Sequence, residues 1–398
     1  MQKKKILFIM PSMFIGGAER SLLGLLDTFD YDKYDVSLFL YRHEGEFLQY
    51  IPDEVNIIAP VKEYATFDVP IKSLLKSSLW KYGCARLGGK VRLKLKSKKE
   101  NYGVWASMQN ISRSLLPLLP DIQGQYDVAI SFLGIPDVLL KKVTAKIKIA
   151  WNHTDYTILG PDKDYDRKIY KQIDYIVSVS DQCTAQFIKE YPEFAEKAVT
   201  IQNIISKRLL KQQALESIND MVKADDGTIL LSIGRFSDAK NFDNIPDICR
   251  IIRQQGCDVK WYLIGYGGEE HLIRQRIRET AMEDYVIILG KRENPYPYIK
   301  ACDIYVQPSR YEGKCVSVLE AQILNKPVII TNYATSGSQL QNGIDGIVVP
   351  MDNKDCAKGI VEALQSKELQ DGLMENTRNY DYTNIVEIEK LYQIMEAL

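Results

Sequence analysis

Thirteen short apolar runs punctuate the chain, each four to six residues long and separated by stretches with helical spacing. In the first half they are Lys5–Met10, Val36–Tyr41, Val55–Ala59, Val128–Phe132, Ile147–Trp151, Tyr175–Val179 and Val199–Gln202. In the second half they are Ile229–Ile233, Val259–Ile264, Val286–Leu289, Ile304–Gln307, Val328–Thr331 and Gly346–Val349. This alternation constrains the fold more than any other feature. Parallel strands need a crossover between them, and a helix supplies it, so the pattern predicts parallel α/β sheets with helices on their faces. Several runs end at Gly, Asn, Ser or Pro, at the carboxyl ends where such sheets bind ligands.

A chain of 398 residues is too long for one ordinary domain and suits two. The pattern breaks near Asn203, where residues 204–226 read as a polar, helix-prone connector, and then resumes. We therefore expect an N-terminal domain over 1–203, a second over 227–380, and a terminal amphipathic helix over 381–398. That helix carries Ile385, Ile388, Leu391, Tyr392 and Met395. Within the second domain, Phe242, Ile245, Ile248 and Ile252 fall on one stripe of a helix near Phe242–Gln255. Ligand is expected between the facing strand ends of two doubly wound domains.

The formal net charge of −1 gives no global reason to expect a nucleic-acid partner. Seven cysteines, none in a C-x-x-C pair, argue against a zinc ribbon or disulfide framework and suit reduced thiols in a cytosol. The opening MQKKKILFIM starts like a signal peptide, but its apolar run is short and no small-residue cleavage site follows. It reads as a first buried strand. Charge is concentrated in 71–120, where eleven Lys or Arg face Glu100 alone, interleaved with Leu74, Leu75, Leu79, Trp80, Val91, Leu93, Leu95 and Trp105. Such a stretch suits an anionic membrane surface, and the plain alternative is a solvated basic face.

Candidate site residues cluster at the strand ends. In LLSIGRFSDAKN a strand runs into Gly234, then Arg235, then Lys240 before a helix. A guanidinium fork and an ammonium there would neutralise a diphosphate without metal. The WYLIGYGGEE turn offers Gly265 and Gly267 for close approach to a donor, although Glu270 stands where a dinucleotide fingerprint needs its third glycine. A plain tight turn is the other reading. Gly16 and Gly17 expose amides where a helix opens near Ala18, without the Lys-Ser or Lys-Thr of a Walker loop. His153 ends a strand, and Arg292 follows another. Asp164-x-Asp166 has metal-like spacing, but acidic residues before a helix ordinarily serve its dipole.

The stretch SRYEGKCVSVLEAQ carries Glu312 and Glu320. With a helix beginning near Lys314, the amides of Lys314, Cys315, Val316 and Ser317 would be donors for phosphate. Glu312 would accept from sugar hydroxyls and Glu320 from a vicinal diol such as ribose.

On these residues the chain resembles the family 4 retaining glycosyltransferases of the GT-B fold. The resemblance rests on Glu312-x7-Glu320 within PSRYEGKCVSVLEAQILNKPVI. Gly234-Arg235, Lys240, IGYG and DGIVVP occur around it in the family's order. GGAE, VSVS and His153 fit less specifically. The resemblance implies two Rossmann-like domains and a final helix crossing back onto the first. It implies transfer of a hexose from a nucleotide sugar, with a uridine diphosphate sugar expected, to a glycan or lipid-linked acceptor in cell-surface polysaccharide synthesis. Arg235 and Lys240 would neutralise the leaving diphosphate, and Glu312 with the Lys314 and Cys315 amides would orient the sugar. The Val316 and Ser317 amides would meet phosphate, Glu320 ribose, Gly16 the phosphate or the reacting centre, and His153 the sugar or its transition state.

No cofactor or catalytic metal is expected. The expected location is cytoplasmic and peripheral on the inner face of the cell membrane through 71–120. Three departures from the family pattern stand out: Lys314-Cys315 where Phe-Gly is frequent, no glycine after Asn203, and GYG in place of an acidic GDG. A nucleotide-sugar epimerase, a nicotinamide-dependent oxidoreductase and a non-catalytic nucleotide- or glycan-binding module are the rival readings.

Overall fold

The computed structural model describes residues 3–96, 103–153, 156, 159–222, 227–312 and 315–396. The chain divides into two units, Met1–Ser206 with Asn384–Leu398, and Lys207–Thr383.

The first unit holds a seven-stranded parallel sheet. Its strands are β1 (Lys4–Met10), β2 (Tyr34–Leu40), β3 (Asn56–Ile57), β4 (Gln125–Ser131), β5 (Thr144–Asn152), β6 (Tyr175–Ser178) and β7 (Ala198–Thr200). They lie in the order β3-β2-β1-β4-β5-β6-β7. Ile6 to Met10 are all buried, a continuous apolar run rather than an alternating one, as expected of a strand covered on both faces. The run expected over Val55–Ala59 forms only the two-residue edge strand β3, exposed at both positions. A short edge leaves few unpaired backbone groups open to another chain.

The terminal helix Ile388–Glu396 belongs to this first unit, as the crossing back requires. Tyr392 stacks on Tyr34 at 5.0 Å and meets Phe29 edge-on at 5.9 Å. Its hydroxyl accepts from the Asp30 amide at 2.8 Å, and Lys4 donates to the Met395 carbonyl at 2.8 Å. Of the apolar stripe read from the sequence, this helix buries Ile388, Leu391 and Met395, whereas Ile385 precedes the helix and is 46% exposed.

The second unit holds six parallel strands, β8 (Thr228–Ile233), β9 (Val259–Ile264), β10 (Val286–Gly290), β11 (Ile304–Gln307), β12 (Val328–Thr331) and β13 (Ile347–Val349). Their order is β10-β9-β8-β11-β12-β13. Phe242, Ile245, Ile248 and Ile252 are buried against Leu230, Trp261 and Leu263, the helix stripe meeting the sheet. Much of the stretch 204–226 packs on this unit. It contains the helix Lys207–Gln213. The Gln213 carbonyl accepts from Asn294 at 2.8 Å, and the Val222 backbone pairs with the Tyr262 hydroxyl at 3.1 and 2.9 Å.

Both sheets share one topological feature. Strand order reverses between β1 and β4 in the first unit and between β8 and β11 in the second. Loops leaving neighbouring strands toward opposite faces open a crevice at such a switch point, where ligands of doubly wound sheets bind.

Candidate active site

In the second unit, Gly234 and Arg235 leave β8, and Ser309 to Glu312 follow β11, so these residues flank the switch point. Lys240 closes a short 3₁₀ turn, Asp238–Lys240, ahead of Asn241 in the left-handed region at φ 59°. The Asn241 side chain donates to the Pro308 carbonyl at 2.9 Å. Arg310 holds the same turn from β11's side. Its amide donates to Ala239 O at 2.8 Å, and its guanidinium to Asp238 O at 2.7 Å and to both Asp243 oxygens at 3.0 and 2.7 Å. A bidentate Arg–carboxylate pair fixes orientation as well as distance. The result is that Lys240 reaches Glu312.

The Lys240 ammonium lies 2.5 Å from Glu312 Oε1, with the two side chains only 17% and 11% exposed. The Ser309 hydroxyl donates to the same oxygen at 2.6 Å. Cys315 Sγ stands 3.7 Å from the ammonium. Burial alone would lower the lysine's pKa, but Cys315 and Glu312 together outweigh it and hold Lys240 above its ordinary range. Gly234 belongs to the same construction, because a Cβ there would come within 3.1 Å of the Lys240 stem. Arg235 is exposed, and among the described residues its guanidinium has no ion-pair partner. Lys240, paired, and Arg235, unpaired among the described residues, thus both stand at the switch point.

Gly265 and Gly267 are needed by the backbone beside them. They sit at φ 154° and 158°. A Cβ on Gly265 would lie 1.9 Å from the Gly234 carbonyl oxygen, and one on Gly267 would lie 2.3 Å from that of Phe236. Backbone bonds join the two turns, Gly234 N to Ile264 O at 3.0 Å and Phe236 N to Tyr266 O at 2.9 Å. The glycines brace the Arg235 turn from behind. Arg292 is engaged as well: it pairs with Asp220 and donates to the Tyr298 hydroxyl at 2.9 Å, tying the former connector to the unit.

The helix expected near Lys314 runs from Val316 to Ile323, with Cys315 as its N-cap. Lys314 lies outside the described residues. The Cys315 amide is not open to ligand, since it donates to Gln339 Oε1 at 2.7 Å. Val316, half exposed, and Ser317 open the helix, where amides have no preceding turn to bond to. Glu320 is buried and accepts from the Tyr296 hydroxyl at 2.8 Å.

In the first unit, Gly16 and Gly17 follow β1, on one side of that unit's switch point. Gly16 caps the helix Gly17–Leu26, and nothing stands within 4 Å of where a Gly17 Cβ would be. At Gly16, by contrast, the Glu19 carboxylate folds back over the helix opening, 2.2 Å from where a Cβ would stand. The loop packs on Gly45, at φ 121°, where a Cβ would lie 2.1 Å from the Met13 backbone, so no side chain is admitted. His153 follows β5, with its ring 4.8 Å from Phe132. Its Nε2 lies 2.9 Å from the Phe132 carbonyl, which can only accept, so Nε2 carries the proton and Nδ1 is the acceptor. Burial pushes its pKa down to about 4, keeping the ring neutral.

Asp164 is exposed beside Arg167, whereas Asp166 is a core hub. Asp166 accepts from Tyr156 and Tyr191 at 2.8 Å each and from Gln109 at 2.5 Å. Burial raises its pKa to about 6. Among the described residues, no group of three or more His, Cys, Asp or Glu is placed to hold a metal.

Residues 215–380 match the family described as glycosyl transferases group 1. An uncharacterized glycosyltransferase of Haemophilus influenzae is 23% identical over 97% of this chain and 98% of its own length. The Campylobacter jejuni N-acetylgalactosamine-N,N'-diacetylbacillosaminyl-diphospho-undecaprenol 4-alpha-N-acetylgalactosaminyltransferase is 23% identical over 58% of this chain and 60% of its own. Among solved structures, Anabaena HepE with UDP and glucose superposes with a TM-score of 0.59 at 16% identity, covering 99% of this chain and 100% of that one. TarM superposes with a TM-score of 0.61 at 13% identity, covering 99% of each. Two parallel α/β units and these superpositions give the chain the GT-B fold, and its residues 215–380 match the group 1 glycosyltransferase model.

Proposed function

We propose that the protein moves a hexose from a uridine diphosphate sugar to a glycan or lipid-linked acceptor, with retention and without metal, in cell-surface polysaccharide synthesis. The observation that carries this reading is the Lys240 ammonium fixed against Glu312 beside the exposed Arg235 at a switch point. Cleaving the bond from sugar to phosphate leaves negative charge on the diphosphate. Two preplaced cations stabilise that charge at no reorganisation cost. The Val316 and Ser317 amides add donors to phosphate, and Glu320, oriented by Tyr296, receives ribose. Glu312 holds the glycosyl group, and a phosphate oxygen takes the acceptor's proton as the acceptor attacks on the same face. The UDP-bound neighbours and the diphospho-undecaprenol-linked relative favour this donor and acceptor class.

The assay is a panel of uridine-, guanosine- and thymidine-linked sugars with chelator present, followed by nucleotide release and thermal shift, on wild type and Glu320→Ala. One donor giving release or stabilisation that Glu320→Ala loses supports the reading. Stabilisation by none counts against it.

For the acceptor, we infer an anionic lipid surface met by the helix Trp80–Lys96. Trp80, Leu87 and Val91 are each about half exposed at helical spacing, with Lys81, Lys90, Arg92 and Lys94 exposed around them. Each cation near such a surface contributes about 1 kcal/mol. No helix among the described residues is long and apolar enough to cross a membrane. Salt-sensitive pelleting with phosphatidylserine-containing liposomes, weakened in Trp80→Ser, is expected. Failure to pellet at low salt refutes the contact.

A further inference from the structure

Strand β11 carries apolar side chains on one face and polar ones on the other. Ile304 and Val306 join the apolar core of the second unit. Tyr305 and Gln307 alternate with them, Ser309 follows, and all three are fully buried. A polar face closed off from water is costly unless its groups bond one another. These do, and in one direction. The Tyr305 hydroxyl donates to Gln307 Oε1 at 2.8 Å, the Gln307 amide nitrogen to the Ser309 hydroxyl at 2.9 Å, and that hydroxyl to Glu312 Oε1 at 2.6 Å. A carbonyl oxygen can only accept, so the phenol decides which end of the Gln307 amide faces Ser309. Gln307 in turn occupies a lone pair of Ser309 and directs the serine proton to Glu312. The same phenol oxygen lies 2.8 Å from Ser317 Oγ, in the first turn of the helix Val316–Ile323. Cys315 Sγ, 3.2 Å from Ser317 Oγ and 3.7 Å from the Lys240 ammonium, closes the circuit.

We propose that Tyr305 and Gln307 are positioning residues, a buried relay that holds the Glu312 carboxylate and the Val316–Ser317 helix opening at one separation. This rests on the nucleotide-sugar reading above, in which Glu312 holds the glycosyl group and the helix opening takes phosphate. The bond that breaks lies between those two holds. UDP has phosphate but no glycosyl group, so its binding does not depend on the separation. A donor sugar must satisfy both ends at once, and a small misplacement of a reacting group costs rate.

The test removes the relay while keeping nearly the same side-chain volume. Tyr305→Phe takes away the hydroxyl, and Gln307→Met the amide. Ser232→Ala is the control: Ser232 is equally buried and accepts from Trp261 Nε1 at 2.9 Å, so its loss strands a buried donor elsewhere in the same unit. Calorimetry with UDP, and nucleotide release from the donor that wild type accepts, would be run below every variant's melting temperature. In both relay variants UDP affinity should stay within about twofold of wild type while kcat falls roughly tenfold or more. The double variant should be no slower than the slower single one, because both changes break one chain. Ser232→Ala should lose stability and keep its kcat. An unchanged kcat in either relay variant overturns the proposal, as does UDP affinity falling as far as kcat, or an equal slowing in Ser232→Ala. If Tyr305→Phe does not fold, Gln307→Met decides alone. A wild type that binds UDP but cleaves no donor, or binds no nucleotide, refutes the parent reading and the relay with it, a pattern distinct from relay variants as fast as wild type.

Discussion

Replacing Lys240 with Met separates the stabilising and catalytic parts of the ion pair. The change leaves the Glu312 carboxylate in a site that is 11% exposed, with Ser309 as its remaining donor at 2.6 Å. Two unit charges at about 4 Å and an effective dielectric near 20 attract by ~4 kcal/mol. Removing one partner of a buried pair costs about 3–5 kcal/mol, because the other charge is stranded. Lys240→Met should therefore lose about that much stability in urea denaturation, together with roughly a hundredfold or more in turnover. The double variant Lys240→Met/Glu312→Gln removes the stranded charge. It should regain most of the lost stability and none of the turnover, measured as nucleotide release from the donor. A double variant as unstable as the single one would show that the pair is not coupled. Recovery of turnover would show that the ammonium has no part in leaving-group departure.

Other outcomes follow from the same geometry. Gly265→Ala drives a Cβ to within 1.9 Å of the Gly234 carbonyl, so it should cost at least ~1–3 kcal/mol and weaken UDP binding by displacing Arg235. Gly268→Ala, with nothing within 4 Å, should change neither and serves as the control. Asp166 has a folded pKa of about 6 against an ordinary 3.8, so the stability that its proton lends is present at low pH and lost as pH rises through 6. Thermal unfolding of Asp166→Asn should accordingly gain on wild type by roughly 3 kcal/mol between pH 4 and 8, and a flat difference contradicts the buried hub. His153, neutral down to about pH 4, should put no break near pH 6.5 in the rate profile.

The strands were legible because a parallel sheet buries both faces, which writes an unbroken apolar run into the sequence. Twelve of the thirteen appear where expected, with small shifts at their ends, while the Val55–Ala59 run shrinks to the exposed two-residue β3. The pairing of Lys240 with Glu312 was legible only as two charged residues near strand ends. Their contact spans 72 positions and depends on Arg310 and Asn241, which look like ordinary loop residues. For Gly265 and Gly267 the sequence left a ligand approach and a tight turn open, because a glycine needed by a neighbouring backbone looks the same in sequence as one needed by a ligand. Arg292 gave no sign of Asp220, which lies 72 residues earlier in what reads as a connector. Gln339 was missed because it lies 24 residues beyond Cys315, and only the folded segment returns it to that turn. Asp166 looked like a helix-dipole residue, since the two tyrosines that claim it come from other elements.

The most direct test of the central claim is titration of the protein with UDP in the presence of chelator, for wild type and for Arg235→Ala with Lys240 intact. The account predicts saturable, metal-free binding by wild type, weakening as salt is raised, and a loss of at least tenfold in Arg235→Ala. Binding that appears only when a divalent cation is added, or that survives Arg235→Ala unchanged, would contradict it.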